Sequence, residues 1–364
     1  MRAGAAGISI ASGSMKVSRR ENLLGKKRLL PLGLAALVAV VLTAVGFVSS
    51  GTAAPRATFK AGLVSDVGRF NDKGFNENQL VGLKRAAKVL KIQYRAVESR
   101  SAGDYLPNLA ALARGGYNLV VSAGFLLNDA TEQVAEQFPN TKFAITDYSV
   151  TAFKTKHANI EGLTYATQQN SYLIGCLAAK VAARQGKKNI SVVGGIKIPP
   201  VDTFLAGYKA GALKCVRGTT VAINYSQTFT DQAACKSLAQ NQIAAGSQVV
   251  FAVAGPCGLG ALDAAKEAGR WGVGVDVDQS NLGNFILTSA VKRVDQGIFL
   301  AVKGAKSGKG YKGGGDLVFN LKNKGVALGK ISKKAKIPAG WMKQINKMKA
   351  QIIAGKIKPP TVVG

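Results

Sequence analysis

Clusters of carboxylates, amides and glycines follow several apolar runs of this chain, and these residues could bind a small polar ligand. The clusters are Ser65-Asp66 with Asn71-Asp72 and Phe75-Asn76, Gly124 to Asp129, Gly255 to Gly260, and Asp276 to Gln279. Carboxylates and amides can hydrogen-bond hydroxyls and ring nitrogens, whereas glycine allows close approach of the backbone. The clusters therefore indicate recognition of a small polar molecule.

The residues needed for covalent catalysis or for a metal centre are missing from these clusters. The only histidine of the chain is His157, far from any Ser-Gly turn, so a Ser-His-Asp triad is not expected. The cysteines form no C-x-x-C pair, which argues against a zinc site. The glycines from Gly255 to Gly260 fit neither the dinucleotide fingerprint nor a P-loop. We therefore expect a binding protein that is not an enzyme and has no cofactor.

Short β-branched runs alternate with apolar segments of helical period, and this alternation predicts parallel α/β layers. The pattern divides into two halves near Tyr165, and a tail supplies elements to both. We predict a signal segment at 1–53, lobe one at 54–165 plus 284–310, and lobe two at 166–283 plus 311–364. Because ligands bind at the carboxyl ends of parallel strands, the polar clusters are expected to meet between the lobes.

The beginning of the sequence is typical of an export signal. Lys26-Lys27-Arg28 precede an uncharged run from Leu29 to Phe47, and small residues follow up to Ala54. A retained membrane anchor is the alternative, because the run is just long enough to span a bilayer. Met15 is a second possible start, and Arg19-Arg20 leave twin-arginine export open. The remainder is expected to work outside the cytoplasm.

The charge of the chain is strongly positive. There are 49 Lys and Arg against 19 Asp and Glu, a net charge of +30. The lysines are scattered, and the part after the leader has no basic block with interleaved aromatic residues, so nucleic acid is not an expected partner. Such a field suits association with an anionic envelope surface, although a solvated basic surface is the simplest interpretation.

Four cysteines in an exported protein suggest two disulfides. Cys215 ends a predicted helix on the edge opposite the ligand loops, whereas Cys235 begins the next helix on the ligand side. The strand Thr219–Tyr225 separates them by about 20 Å, at roughly 3.3 Å per residue, but a bridge needs Cα atoms within about 7 Å. Cys257 lies on the ligand side, so we predict Cys235–Cys257. Cys176–Cys215 follows by elimination, unless Cys176 is buried and free.

In their order, the motifs resemble those of the basic membrane protein family, substrate-binding proteins of ABC importers similar to purine-nucleoside receptors. The motifs are D-x-G-x-x-N-D-x-x-F-N from Asp66, G-F-x-x-x-D from Gly124, the segment from Gly255 to Gly260, which we call the glycine loop, and G-V-D-x-D-Q from Gly274. The similarity runs from about Phe59 to Lys343. It implies a type I periplasmic-binding-protein fold, with two Rossmann-like lobes joined by three crossovers. It also implies a purine nucleoside or similar ligand between the lobes and a membrane permease as partner.

The resemblance also implies roles for individual residues. Phe75 and Phe204 match the two positions that stack on the base, and Asp276 with Lys292 matches the pair that binds ribose. Further matching positions are Asp129, another carboxylate of the pocket, Asp66 with Asn71 or Asp72 at the base edge, Asn76 at the end of the first motif, and Gly255, whose backbone could approach the sugar.

One feature departs from the family pattern. Family members usually carry a lipidated cysteine directly after the signal, but no cysteine precedes Cys176 in this chain. We therefore expect a periplasmic or envelope-associated protein without a lipid anchor.

A binding protein for a sugar or another small polar signal molecule on the same fold is the alternative function. A transcription regulator of this fold would carry an N-terminal helix-turn-helix instead of a leader.

Overall fold

The computed structural model describes residues 58–364. The predicted signal segment at 1–53 and the start at Met15 lie outside the described residues. Across 58–364, none of the helices combines the length and the apolar character needed to cross a bilayer.

The described residues form twelve strands and nine α-helices. The strands are β1 (Lys60–Ser65), β2 (Gln93–Val97), β3 (Leu119–Ala123), β4 (Lys142–Thr146), β5 (Ile160–Tyr165), β6 (Asn189–Gly194), β7 (Thr220–Tyr225), β8 (Val249–Val253), β9 (Trp271–Asp276), β10 (Ile286–Lys292), β11 (Asp316–Phe319) and β12 (Val326–Leu328). The helices are α1 (Phe75–Leu90), α2 (Tyr105–Arg114), α3 (Asn128–Gln137), α4 (Thr167–Arg184), α5 (Pro199–Cys215), α6 (Gln232–Ala244), α7 (Cys257–Glu267), α8 (Val294–Ser307) and α9 (Ala339–Ile353).

The strands form two six-stranded sheets. The first has the order β11-β5-β4-β3-β1-β2 and is parallel throughout; the second has the order β12-β10-β9-β8-β6-β7, with only β12 antiparallel. Every residue of the central strands β3 and β8 is buried, because helices cover both faces of each sheet. The fold is the expected type I periplasmic-binding-protein fold of two Rossmann-like lobes.

The chain crosses between the lobes three times, after β5, after β10 and between β11 and β12. The crossing segments are hydrogen-bonded to one another. The amide of Ala166 donates to the carbonyl of Phe319 at 2.8 Å, and the amide of Arg293 donates to the carbonyl of Gly325 at 2.9 Å. Three adjacent connections restrict the lobes to bending about one line, which is the geometry of a hinge.

The pairing of the strands corrects the predicted lobe boundaries. The prediction placed 284–310 in lobe one and 311–364 in lobe two. However, β10 pairs with β9 in the second sheet, and β11 pairs with β5 in the first. Only α8 of the segment 284–310 packs on lobe one, against α1. A short apolar strand carries no sign of which sheet it completes: β10 pairs with the strand just before it in the chain, whereas β11 pairs with β5, far earlier in the chain.

Both predicted disulfides are confirmed. Cys235–Cys257 joins the beginnings of α6 and α7 with Cα atoms 5.6 Å apart, and Cys176–Cys215 joins α4 to the end of α5 with Cα atoms 5.2 Å apart. Cys176 is therefore bridged, and the alternative of a free thiol is wrong. The first bridge lies beside the loop that follows β8, whereas the second lies in the core beside Met348.

Candidate functional site

A cavity of about 610 Å³, partly open to solvent, lies between the carboxyl ends of the two sheets. This volume includes open solvent at the mouth of the cavity. Residues of both lobes line it: Asp66, Gly68, Asp72, Phe75, Asn76, Gly124, Phe125, Leu126 and Asp147 from lobe one, and Ile198, Pro200, Val201, Phe204, Phe229, Val253, Ala254, Gly255, Pro256, Val275, Asp276 and Lys292 from lobe two. Eight of the ten predicted site residues are among them.

Four strand ends reach the cavity through residues in the left-handed region of φ. Their φ values are +125° at Gly124, +66° at Asp147, +55° at Gly255 and +63° at Asp276. Glycine adopts this conformation freely, and aspartate tolerates it better than most side chains. At Gly124 there is a second constraint, because a Cβ atom would lie 3.0 Å from the ring of Phe75. The chain therefore turns sharply at each strand end and leaves the cavity open.

In lobe one, Asn76 connects two carboxylates at the beginning of α1. Its side-chain amide donates to Oδ1 of Asp66 at 2.6 Å and to Oδ2 of Asp72 at 3.2 Å. Asp72 also accepts from the backbone amides of Gly74, Asn76 and Glu77, at 2.7 to 3.0 Å. Both oxygens of Asp72 thus accept hydrogen bonds from free backbone amides at the beginning of α1. In contrast, Oδ2 of Asp66 and Oδ1 of Asn76 have no hydrogen-bond partner among the described residues. Asp66 lines the cavity, so its free oxygen can accept from a ligand, whereas Oδ1 of Asn76 is buried and unpaired among those residues.

In lobe two, Asp276 and Lys292 end neighbouring parallel strands, β9 and β10. The carboxylate of Asp276 lines the cavity and has no hydrogen-bond donor within residues 58–364. The ammonium of Lys292 contacts the carboxylate of Asp147, which follows β4 in the other lobe. Lys292 has three donor hydrogens, so one contact leaves it able to bind a further acceptor.

Three aromatic rings surround the ammonium nitrogen of Lys292. The ring centroids of Phe75, Tyr165 and Phe204 lie 4.7, 5.2 and 5.7 Å from it. These distances permit cation–π attraction. Phe75 belongs to lobe one and Phe204 to lobe two, so an aromatic face from each lobe meets at the same point of the cavity.

The cavity is acidic although the chain is basic. Asp66, Asp72, Asp147 and Asp276 line it together with a single cation, Lys292. Burial raises the pKa of Asp276 to about 7, with Asp147 and Asp72 adding to the effect and Lys292 opposing it. Burial likewise raises the pKa of Asp66 to about 6, and it raises the pKa of Asp72. The site therefore exchanges protons near neutral pH.

Two predicted site residues do not reach the cavity. Asn71 is exposed, since the chain turns at that point so that the next residue, Asp72, can cap α1. Asp129 is exposed in the first turn of α3, beyond a 3₁₀ turn from Phe125 to Leu127 that forms the cavity wall. The prediction placed these two residues in the binding site, and the structure does not bring them there.

Sequence reasoning missed Asp147 and Phe229. Asp147 directly follows β4, so the rule that identified Asp66 and Asp276 at strand ends could have found it as well. Phe229 lies in the loop between β7 and α6, where the sequence offers no comparable signal. Asp278, the other carboxylate of the cluster from Asp276 to Gln279, caps the turn after β9 by accepting from the amides of Ser280 and Lys330.

Comparisons with known proteins agree with this geometry. Residues 59–361 match the family model described as "ABC transporter substrate-binding protein PnrA-like" (Bmp). The chain is 33% identical to the "ABC transporter nucleoside-binding protein BmpA" of Lactococcus lactis subsp. cremoris, over 92% of this chain and 99% of the relative. It is 35% identical to "Basic membrane protein A1" of Borrelia garinii subsp. bavariensis, over 83% of this chain and 88% of the relative.

A solved structure supports the same assignment. The ABC transporter solute-binding protein of Aeropyrum pernix K1 superposes with a TM-score of 0.76 and 25% identity, over 83% of this chain and 94% of that one. The family match, which covers nearly all of the described residues, and the agreement in fold lead to one conclusion. The chain belongs to the basic membrane protein family of PnrA-like ABC transporter substrate-binding proteins.

Proposed function

We propose that this protein binds a purine nucleoside, or a similar ligand with a flat ring and a diol, between its two lobes and delivers it to the permease of an ABC importer. One observation carries the proposal: Phe75 and Phe204, from opposite lobes, meet beside Asp276 and Lys292 in one cavity. Closure of the hinge would place the ring of a ligand between the two aromatic faces. Stacking of a base on an aromatic side chain is worth roughly 1–3 kcal/mol.

The polar groups of the cavity suit the rest of such a ligand. Asp276 can accept from the hydroxyls of a ribose, and Lys292 can donate to them. The free oxygen of Asp66, which Asn76 holds in place, can accept a hydrogen bond from the edge of the base. Asp72 acts through α1, since its oxygens are occupied by backbone amides. Gly255 contributes backbone to the cavity wall.

The acidic lining also suits an uncharged ligand. Four carboxylates face the cavity with one ammonium, so a phosphate would meet repulsion from most of the charged groups. We therefore expect nucleosides to bind and nucleoside monophosphates to be rejected. A receptor that only binds and delivers its ligand needs neither catalytic residues nor a cofactor.

Substrate-binding proteins of ABC transporters work outside the cytoplasm, and the leader from Lys26 to Ala54 fits export of this one. We propose a periplasmic or envelope-associated protein whose permease lies in the membrane. The net charge of +30 favours residence near anionic surfaces of the envelope.

The test is isothermal titration with a purine nucleoside, its free base, a pentose and the nucleoside monophosphate. The expected order of affinity is nucleoside, then base, with no measurable binding of the monophosphate. Phe75→Ala and Phe204→Ala should each weaken nucleoside binding by about 10- to 100-fold. Phe299→Ala is the matched control, because Phe299 is a partly buried ring of α8 outside the cavity.

Two results would contradict the proposal. Unchanged affinity in both cavity variants would remove the aromatic sandwich and favour an aliphatic polyol. Binding of the pentose with no binding of nucleoside or base would assign the site to a sugar, the alternative function on this fold.

A further inference from the structure

The basic residues of this protein are concentrated in lobe two. Residues 58–165 and 294–319, which form lobe one, contain 17 Lys and Arg and 12 Asp and Glu, a net charge of +5. Residues 166–293 and 320–364 contain 24 basic and 6 acidic residues, a net charge of +18. The positive field is therefore a property of one lobe and not of the whole surface.

Within lobe two, the charge is concentrated in the last 45 residues, whose helix α9 packs on α4. Eleven lysines and no acidic residue lie between 320 and 364: Lys322, Lys324, Lys330, Lys333, Lys334, Lys336, Lys343, Lys347, Lys349, Lys356 and Lys358. All eleven are exposed. Helix α4 has no acidic residue, and the only one in α5, Asp202, lies in its first turn beside the cavity. We call the exposed side of α9, with the segment 330–336 before it, the basic face.

The packing of α9 fixes the direction of these lysines. Ile345, Met348 and Ile352 point inward, and Met348 lies 3.9 Å from the sulfurs of both Cys176 and Cys215. The lysines of the helix consequently point outward. Lys343 and Lys347 are one turn apart, and like charges at this spacing destabilise a helix. A layer of negative charge over the helix would relieve this repulsion.

The basic face lies at the end of lobe two that is remote from the ligand. The guanidinium of Arg184, at the end of α4, donates to the carbonyls of Ala335 and Lys336 at 2.6 and 3.1 Å. The hydroxyl of Ser332 donates to the carbonyl of Asn284, just before β10 begins. Because the cavity is at the carboxyl ends of the strands, contact through the basic face leaves the cavity mouth free.

We propose that the basic face binds the anionic headgroups of a lipid bilayer and holds lobe two against the membrane. Lysines spread over a surface suit a mobile sheet of phosphates, each contributing about 1 kcal/mol near an anionic leaflet. One apolar side chain of α9 accompanies them, since Ile353 is 39% exposed, and such a side chain can enter the interface. The indole ring of Trp341 lies under Lys180 and Arg184 and is not free to stack on a base. This contact does not depend on which ligand the cavity holds.

The experiment measures co-sedimentation of the full chain with vesicles of phosphatidylcholine, with and without about 30% phosphatidylglycerol, at about 50 mM salt. The test variant replaces Lys333, Lys334, Lys343, Lys347 and Lys349 with glutamine. The side chains of these five residues form no hydrogen bond or ion pair within residues 58–364, so folding should be preserved. The control variant makes the same change of charge on lobe one, at Lys84, Lys88, Lys154, Lys156 and Lys303, all exposed.

We expect binding to the anionic vesicles to fall at least tenfold in the test variant and less than threefold in the control, since each lysine at the surface contributes roughly fivefold. The apolar run Leu29–Phe47 is common to the unchanged protein and both variants, so any binding that it contributes is the same in all three. Equal losses in the two variants would assign the effect to net charge alone and overturn the proposal. Binding to heparin or RNA without preference for anionic vesicles would also overturn it, in favour of a soluble polyanion.

Discussion

Lys292 and Asp147 form an ion pair that joins the two lobes across the ligand cavity. Lys292 ends β10 of the second sheet, and Asp147 follows β4 of the first. Their side chains are only 3% and 9% exposed. Because both charges are removed from water, each depends on the other for its stability. The pair therefore links the two lobes directly across the cavity.

Loss of one partner should cost the protein much of its stability. We expect Asp147→Asn to lower the free energy of unfolding by about 3–5 kcal/mol, because Lys292 would remain buried without its carboxylate. Asparagine is chosen since it tolerates the φ of +66° at this position. Urea unfolding of the ligand-free protein measures the effect.

Asp129→Asn is the matched control, since it removes an exposed carboxylate from the same lobe and should change stability by less than about 0.5 kcal/mol. Combining Asp147→Asn with Lys292→Met should recover most of the loss, because the buried charge is then gone. A cost for Asp147→Asn no larger than that of the control would contradict a role for the pair in stability.

A second prediction concerns the selectivity of the cavity. If Asp276 accepts from the ligand's hydroxyls, Asp276→Asn should weaken nucleoside binding by about 10- to 150-fold, equivalent to roughly 1.5–3 kcal/mol. Binding of the free base should change little. Titration calorimetry with both ligands checks this. Asp278→Asn serves as the control, because Asp278 caps the turn after β9 and lies outside the cavity.

The third prediction concerns pH. The pKa of Asp276 is raised to about 7, so the ligand-free site holds a proton at pH 5 that must leave before the carboxylate can accept from a ligand. We expect nucleoside affinity to increase as pH rises, by roughly 100-fold between pH 5 and pH 8. Asp276→Asn should flatten this profile, whereas a profile unaffected by that change would exclude Asp276 as its source.

The same groups have the opposite effect on the stability of the ligand-free protein. The pKa values of Asp276 and Asp66 are raised in the folded state, to about 7 and about 6, from an ordinary value of 3.8. Their contribution to the free energy of unfolding is therefore complete below pH 3.8, where both are protonated. It is lost as the pH rises through these folded-state values. Thermal unfolding between pH 4 and pH 8 should show this loss, and it should be smaller in Asp276→Asn.

The fourth prediction separates the two disulfides by function. Cys257 is adjacent to Pro256 in the cavity wall, whereas Cys215 ends a helix three turns beyond Phe204. Replacing either pair with serine should lower the free energy of unfolding by about 2–5 kcal/mol. Only the loss of Cys235–Cys257 should also weaken ligand binding, because it frees the glycine loop. Equal binding defects in the two double variants would argue against this division.

The sequence was sufficient to predict the features that follow from local pattern. Strand ends are recognisable from β-branched runs, so the positions of Asp66 and Asp276 followed from the rule that parallel strands present their carboxyl ends at one edge. The same rule gave the disulfide Cys235–Cys257, since the direction of each strand determines on which edge a cysteine lies. The family resemblance supplied Phe75 and Phe204, whose spacing alone does not distinguish them from core residues.

Only the tertiary structure decided which distant residues meet. Asp147 and Lys292 are 145 positions apart and belong to different lobes, and no local signal relates them. The pairing of β11 with β5, a strand far earlier in the chain, has the same origin. A strand's period and composition describe its own faces, whereas its place in a sheet depends on hydrogen bonds and packing with partners elsewhere in the chain. Residues at the end of a single strand could be predicted from the sequence. Contacts between the two lobes could be identified only in the folded structure.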